Sequence, residues 1–282
     1  MTDRHVLVVG IDGVRLDLLP QVDTPHLDTI ADAGFLAPIE IDAGTPTMSG
    51  PCWTTIVTGV GVARHGVWGN RFDGNRLEVF PDFTTRLAAE RGRRTYAVGG
   101  WEPLFLARQG GPVFRAPSRL GYLAPRADTP QAWEECDEGV AAEAARVLGS
   151  GEELHASFVY LGAVDETAHF LGCGAEYRAA IENADRRLGR LLKGLDERPG
   201  RHGEQWTVIV VTDHGHRDEG GHGGDSDLER TAWVAARGPG LPAGRVPRGL
   251  RHVDVAAQVY LSLGIELDSH WTLDGTGFAG TA

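Results

Sequence analysis

Two stretches decide the fold: residues 5–13 are HVLVVGIDG, and residues 206–216 are WTVIVVTDHGH. In each stretch a mostly apolar run is followed by an aspartate, and a glycine comes within two residues of that aspartate. A short apolar run without alternation is typical of a strand that is buried on both faces of a sheet. Both stretches therefore predict central strands of a sheet that helices cover on both sides, with polar side chains at the carboxyl ends of the strands.

The rest of the chain alternates in the same way. Further strands are predicted at residues 35–41, 95–98, 155–161 and 232–236, and helices at 24–33, 49–58, 83–91, 131–148, 177–195 and 255–263. This alternation predicts an α/β fold with a mostly parallel sheet. We expect one domain over residues 1–282, with a surface loop and a possible small cap region around 109–130, where Gly, Pro and Arg are frequent. The acidic side chains of the helix at 131–148 are expected to face solvent; they are Glu134, Glu135, Asp137, Glu138 and Glu143.

Charge and cysteine content exclude several classes of protein. The 282 residues carry 27 basic and 39 acidic side chains, which gives a net charge of −12. An acidic chain has no general attraction for nucleic acids or anionic membranes, so neither is expected as a partner. Cys52, Cys136 and Cys173 form no CxxC pair, and no apolar run reaches 18 residues. The start of the chain does not resemble a signal peptide, so a cytoplasmic location is expected, and the oligomeric state stays open.

Potential metal ligands follow the predicted strands. Asp12 follows the first strand, Asp165 and His169 are spaced by one helical turn, Asp213 and His214 follow the WTVIVV strand, and His222 lies between glycines. Ligands bind at the carboxyl ends of strands in open α/β sheets. Three carboxylates and three imidazoles without a thiolate suit zinc, manganese or iron, and six ligands suit two ions. Each residue alone also has an ordinary structural interpretation, and His216 is interpreted as a bystander.

Ser49 opens the predicted helix at residues 49–58, after a loop rich in Gly and Pro. The free N–H groups and the dipole of a helix N-terminus make it an anion site, so the Ser49 hydroxyl could face a bound phosphate. The alternative is that Ser49 only caps the helix. Thr47, two residues earlier, carries a second hydroxyl that could act as the nucleophile.

The order of the motifs resembles that of the alkaline phosphatase superfamily, and its type I phosphodiesterase / nucleotide pyrophosphatase branch in particular. The motifs are GIDG, SGPCWTTIVTGVGVARHGVWGN, VDETAH, TDHG and GGHGG. The resemblance implies an alkaline-phosphatase-like fold, Ser49 as nucleophile, and two metal ions that are usually zinc. It assigns the first metal site to Asp165, His169 and His222. It assigns the second to Asp12, Asp213 and His214, with Ser49 directed toward that ion.

The sequence departs from this family at the nucleophile and at one substrate contact. Ser49 stands where many members have threonine, and Cys52 stands where we expect the family's asparagine. A thiol is a weak donor, so the backbone N–H of Gly50 is expected to bind part of the phosphate. Trp101 and Phe105 are the candidates for stacking on a leaving group. The C-x-P-x-R motif of sulfatases is absent, which argues against a sulfatase.

The sequence thus predicts a two-metal hydrolase of small phosphoric esters, foremost a phosphodiesterase or nucleotide pyrophosphatase that forms a phosphoserine intermediate. A phosphomonoesterase and a phosphonate hydrolase remain alternatives, followed by a mutase and a non-catalytic metal-binding protein. Diesters are expected to be preferred, because Arg64 and His65 are the only basic residues near Ser49 in the sequence and both look structural.

Overall fold

One sheet of seven strands organises the protein, for which the computed structural model describes residues 3–278. The strands are β1 (Asp3–Ile11), β2 (Phe35–Glu40), β3 (Thr95–Gly99), β4 (Arg119–Tyr122), β5 (Ala156–Leu161), β6 (Glu204–Val211) and β7 (Thr231–Arg237). Their order in the sheet is β2-β7-β6-β1-β5-β3-β4. All neighbouring pairs are parallel except those of β7, which runs antiparallel to β6 and β2. The predicted α/β class with a mostly parallel sheet is confirmed.

Helices cover both faces of this sheet. They are α1 (Pro25–Ala33), α2 (Ser49–Thr58), α3 (Val62–His65), α4 (Phe83–Arg91), α5 (Glu102–Phe105), α6 (Pro130–Gly149), α7 (Ala163–Leu171), α8 (Ala175–Glu197), α9 (Asp227–Arg230) and α10 (Val253–Ser262). Three short 3-10 helices lie at Leu16–Gln21, Arg201–Gly203 and Ser269–Trp271. None of the helices between residues 3 and 278 is both long and apolar enough to cross a membrane.

Strand β1 shows why the apolar runs have no alternation. Val6 and Val8 point into one hydrophobic core, and Leu7 and Val9 point into the other. Helices α2, α4 and α10 contribute to the first core, whereas α1, α6 and α8 contribute to the second. Because helices cover both faces, every side chain of the strand from His5 onward is buried.

The structure corrects two details of the sequence interpretation. Residues 119–122 lie within the predicted loop at 109–130, yet they form β4, which pairs with β3 at the edge of the sheet. Four residues are too few for a pattern to be visible in the sequence. Asp137 of α6 does not face solvent: it is buried, and its two carboxylate oxygens accept the N–H groups of Gly162 and Ala163. It thereby holds the start of α7.

Candidate active site

The predicted ligands lie together at the carboxyl ends of the central parallel strands. Strand β1 lies between β5 and β6, and all three are parallel, so their carboxyl ends are adjacent. Asp12 directly follows β1, Asp165 lies in the first turn of α7 just after β5, and Asp213 and His214 follow β6. His222 reaches the same place from the glycine-rich loop before α9.

Asp165, His169 and His222 form one group of ligand atoms that all lie within 4.8 Å of one another. His169 Nε2 is 3.3 Å from Asp165 Oδ2, and His222 Nε2 is 3.5 Å from Asp165 Oδ1. The two imidazole Nε2 atoms are 3.0 Å apart. We call this group the first triad, and it contains the three residues that the resemblance assigned to the first metal site.

Asp12, Asp213 and His214 form the second triad, which also spans less than 4.8 Å and is completely buried. His214 Nε2 lies 3.5 Å from Asp12 Oδ1 and 3.2 Å from Asp213 Oδ2. The rings of His214 and His222 stack with centroids 3.9 Å apart. This stacking places the two triads side by side, as a site for two neighbouring ions requires.

Asp12 has one oxygen bound and one oxygen free. Its Oδ2 accepts hydrogen bonds from Trp53 Nε1 at 2.8 Å and from the Tyr160 hydroxyl at 2.7 Å. Its Oδ1 is buried and has no hydrogen-bond partner among the described residues. A buried carboxylate oxygen without a donor is costly unless a cation binds it. The two aromatic donors therefore fix the orientation of Asp12 and leave Oδ1 for an ion.

Asp213 repeats this arrangement with backbone donors. Its Oδ1 accepts the N–H groups of Gly13 at 3.1 Å and of His214 at 3.0 Å, while Oδ2 is buried without a partner. The imidazoles are oriented in a complementary way. The Nδ1 atoms of His214 and His222 donate to the carbonyls of Gly215 and Thr47, so each Nε2 is free to bind an ion.

The pKa shifts of the triad residues follow from their burial and from the charges beside them. Burial raises the pKa of Asp12 to about 8, and burial together with the neighbouring carboxylates raises the pKa of Asp213. Burial opposes ionisation of Asp165 as well, but contacts with imidazoles, His169 foremost, hold its pKa well below the usual range. Burial lowers the pKa of His214 and keeps its ring neutral, as a ligand must be. The donor set thus fits two divalent cations.

Ser49 is the hydroxyl that faces this site. It begins α2 and is buried, and its Oγ lies 3.5 Å from His214 Nε2 of the second triad. Thr47 has a different environment. Its Oγ1 donates to the Gly224 carbonyl at 2.8 Å and accepts the Gly223 N–H at 3.0 Å, so the hydroxyl holds the loop that carries His222.

Asn70 is a site residue that the sequence interpretation missed. The N–H of Gly50, which we expected to bind phosphate, donates to Asn70 Oδ1 at 2.9 Å. A side chain on Gly50 would overlap the carbonyl oxygen of Gly69, so this close approach needs a glycine. Asn70 is the last residue of the HGVWGN segment, and its place in a family motif is the sequence feature that could have indicated a function.

The predicted substrate contacts divide into two kinds. Trp101 lines a cavity of about 370 Å³, together with Asn70, Tyr122 and Trp133. In contrast, Cys52 is fully buried in the core, with its Sγ donating to the Pro46 carbonyl. The Phe105 ring is also buried, where it stacks on Phe114. Both side chains are enclosed by the core, and their contact with substrate stays a prediction.

The fold and the two triads define an alkaline-phosphatase-like protein. The sequence profile of the type I phosphodiesterase / nucleotide pyrophosphatase family matches residues 6–235, so the chain belongs to this family of phosphoester hydrolases. The resemblance inferred from the order of the motifs is confirmed.

Individual relatives are distant. Human ectonucleotide pyrophosphatase/phosphodiesterase family member 7 is 26% identical over 230 residues, which cover 76% of this chain and 48% of the relative. The chain thus spans about half the length of the curated relatives it matches. Among solved structures, a 2-O GAG sulfatase superposes with a TM-score of 0.76 at 14% identity, over 99% of this chain and 76% of that one. Murine ectonucleotide pyrophosphatase / phosphodiesterase 5, an inactive form in complex with AMP, gives 0.67 at 17% identity, over 94% and 96%.

Proposed function

We propose that this protein hydrolyses phosphodiester bonds of small molecules, nucleotides among them, with Ser49 as the nucleophile. Two divalent cations, in the first place zinc, would be held by the first and second triads, with Ser49 directed toward the second. The position of Ser49 Oγ, 3.5 Å from His214 Nε2, carries the proposal. The AMP bound to the murine relative supports a nucleotide as one substrate class.

The chemistry divides between the cations and the chain. When bound, two cations supply the positive charge that lowers the pKa of the Ser49 hydroxyl and stabilises charge on the phosphoryl oxygens. Ser49 Oγ forms a bond to phosphorus while the bond to the leaving alcohol breaks, and the alcohol departs with a proton. Water then cleaves the Oγ–P bond, releases the phosphate product and restores the serine.

Asn70 and Trp101 are proposed to bind the two ends of the substrate. Because Asn70 Oδ1 accepts the Gly50 N–H, its amide group is fixed and its Nδ2 can donate to a phosphoryl oxygen. Trp101 lines the adjoining cavity, where an aromatic leaving group such as a nucleobase can stack on the ring. The cavity therefore extends from the phosphoryl group to the leaving group.

The charges around the site favour a diester over a monoester. Within residues 3–278 the triad carboxylates form ion pairs with imidazoles only. Arg64 is held by Asp274, and His65 is buried beside Thr55. Arg108 lines the cavity but pairs with Glu102 at 2.8 Å. A monoester, which carries one more negative charge, thus finds no uncommitted guanidinium or ammonium group in these contacts.

Three substrates test the proposal on one zinc-loaded sample: bis(p-nitrophenyl) phosphate, p-nitrophenyl phosphate and a p-nitrophenyl phosphonate. The expected result is a kcat/KM at least about tenfold higher for the diester, which corresponds to about 1.4 kcal/mol in the transition state. The Ser49→Ala variant, purified in parallel, controls for contaminating phosphatases. A tenfold preference for the monoester or for the phosphonate would replace the proposal by the corresponding alternative hydrolase.

We also propose a cytoplasmic location. Cys52, Cys136 and Cys173 are all free thiols, which supports a reducing compartment. Fractionation of cells that express the full chain would test this, and recovery of the protein outside the cytoplasm would contradict it.

A further inference from the structure

His216 is a buried imidazole beside the metal ligands to which neither triad gives a function. It is inaccessible to solvent, and neither of its ring nitrogens has an aligned hydrogen-bond partner among the described residues. Its ring centroid lies 5.2 Å from that of His222 and 5.4 Å from that of His169. Because burial of an unsatisfied imidazole is costly, this position needs a compensating interaction.

The partner that the structure offers is Asp165. His216 Nε2 lies 2.8 Å from Asp165 Oδ1, whereas the other oxygen, Oδ2, lies 3.3 Å from His169 Nε2. The distance is that of a hydrogen bond, and a rotation of the His216 ring is needed to align its N–H with the oxygen. Oδ1 of Asp165 thus lies closest to His216, with His222 Nε2 farther away at 3.5 Å, whereas Oδ2 faces His169.

Comparison of the three carboxylates shows what His216 would add. Asp12 and Asp213 each have one oxygen fixed by two donors and the other free for a cation. Within residues 3–278, Asp165 accepts no hydrogen bond from a backbone or aromatic donor of this kind, and its Oδ1 is buried without an aligned partner. The Nε2–H of His216 is the group that can fix this oxygen, which would give all three carboxylates the same arrangement.

The surrounding backbone leaves room for this contact. Gly13 has φ +70°, and a Cβ at this position would lie 2.5 Å from His216 Nε2 and 2.9 Å from Asp165 Oδ1. Tyr177 holds the turn, since its hydroxyl donates to the Gly13 carbonyl at 2.6 Å and accepts the Arg15 N–H at 2.9 Å. Only glycine satisfies both the left-handed backbone and the space that the imidazole occupies.

We infer that His216 is a positioning residue of the metal centre. It holds Oδ1 of Asp165 through Nε2–H and thereby directs Oδ2 toward the cation of the first triad. Groups that orient metal ligands in this way typically change metal affinity 10- to 100-fold when they are replaced. The inference rests on the proposed two-ion centre.

The test compares His216→Met, which lacks a donor, with His216→Gln, which keeps one. Zinc affinity is measured by competition with a chromophoric chelator, and the visible spectrum is recorded after cobalt substitution. We expect His216→Met to weaken one of two zinc sites by about 10- to 100-fold, and His216→Gln to restore most of that loss. The cobalt spectrum at saturation should match that of the wild type, because a positioning residue is not itself a ligand.

His252→Met is the matched control. This imidazole is also buried near the site, with Nε2 3.2 Å from the Thr212 carbonyl, but it belongs to neither triad. Zinc affinity of His216→Met equal to that of His252→Met would overturn the inference. If His216→Met does not fold, His216→Asn, which is too short to reach Asp165, takes its place against His216→Gln.

Two further outcomes separate this inference from the proposed function. A cobalt spectrum that shows the loss of a nitrogen ligand would make His216 a direct ligand, in the group it forms with Asp165 and His214, and would overturn the positioning role. If the wild type binds two zinc ions and only the His216 result fails, the two-ion centre stands. If the wild type binds none, both proposals fall.

Discussion

Two hydroxyl groups near the triads show how the same functional group takes different roles. The Ser49 hydroxyl lies near His214 Nε2 at the start of α2, whereas the Thr47 hydroxyl makes two hydrogen bonds to the loop that carries His222. A nucleophile needs access to the phosphorus atom, and a hydroxyl that holds a loop does not have it. The geometry thus favours Ser49 over Thr47.

Replacement of Ser49 by alanine should abolish turnover. We expect kcat to fall by about 10³-fold or more, since the residue that forms the covalent intermediate is removed. Zinc content should stay the same, because the six triad residues remain. Steady-state kinetics and elemental analysis on one sample check both points. Thr47→Val is the counterpart, and a larger loss in that variant than in Ser49→Ala would assign the nucleophile to Thr47.

Asn70 provides a second prediction at this scale. Asn70→Ala removes the amide that is proposed to donate to a phosphoryl oxygen, so kcat should fall by about 10²- to 10³-fold. The unfolding free energy should fall by about 1 kcal/mol, since the Gly50 N–H loses its acceptor. Kinetics and thermal unfolding measure these two quantities. An unchanged kcat would remove Asn70 from the site.

At the scale of elements, α6 fixes the helix that carries two residues of the first triad. Asp137 accepts the N–H groups of Gly162 and Ala163, and Asp165 and His169 follow on α7. Burial raises the pKa of Asp137 to about 7, against the stabilising effect of these two N–H groups. The first triad therefore depends on a side chain outside it.

Asp137→Ala should weaken zinc binding at the first triad and destabilise the fold by about 1–3 kcal/mol, because two buried N–H groups lose their acceptor. Glu135→Ala, on the exposed face of the same helix, is the control. Denaturant unfolding and chelator competition provide the two measurements. Equal zinc affinity and equal unfolding free energy of the two variants would contradict the role of Asp137 in holding α7.

The contact between α2 and α3 predicts a dependence of stability on pH. His65 Nδ1 accepts the Val67 N–H, its Nε2 donates to Thr55 Oγ1, and burial lowers its pKa to about 3. The ordinary value is about 6.5, so between pH 6.5 and 3 the unfolded chain binds a proton that the folded protein does not. The neutral His65 ring therefore makes its full contribution to the unfolding free energy above pH 6.5, and this contribution decreases as the pH falls toward 3.

Between pH 7 and pH 5 the wild type should therefore lose about 2 kcal/mol more unfolding free energy than His65→Asn, since each pKa unit corresponds to about 1.4 kcal/mol. Denaturant titrations of both proteins at several pH values give this difference. Parallel curves for the two proteins would show that His65 titrates alike in the folded and unfolded states.

Helix α2 also shows where sequence interpretation fails. Its bounds were predicted correctly, but all ten of its residues are buried, so Cys52 could not be distinguished from a residue that faces the substrate. Nothing in the sequence assigns a role to Trp53, yet its Nε1 donates to Asp12 Oδ2 and orients this carboxylate. An indole that only packs in the core and an indole that also donates to a triad carboxylate look the same in a sequence.

At the scale of the whole molecule, the triads concentrate three buried carboxylates at one edge of the sheet. Removal of cations should therefore lower stability. With free zinc at about 100 times Kd, each site contributes about 2.7 kcal/mol, so chelation should lower Tm clearly. Differential scanning calorimetry with and without chelator tests this, and Tm restored by added zinc completes the result. A Tm that does not respond to chelator or zinc would contradict the metal centre.

The six triad residues could be anticipated because strand order in a parallel sheet fixes which strand ends meet. Asp12, Asp165 and Asp213 follow β1, β5 and β6, which the apolar runs revealed. Asn70 and Tyr160 could not be found in that way. Asn70 lies in a loop that is far along the sequence from any strand. Tyr160 lies within a buried strand, so an otherwise apolar pattern hides its hydroxyl.

The triads lie at the carboxyl ends of the strands, so the turns at the amino ends are available for protein engineering. Turns such as Arg201–Gly203 enter the strands from that side. Strand β5 alone has six residues and separates the two edges by about 20 Å. A reporter domain inserted at such a turn would leave the triads in place. A reporter inserted there would lie at the opposite end of the strands from the triads.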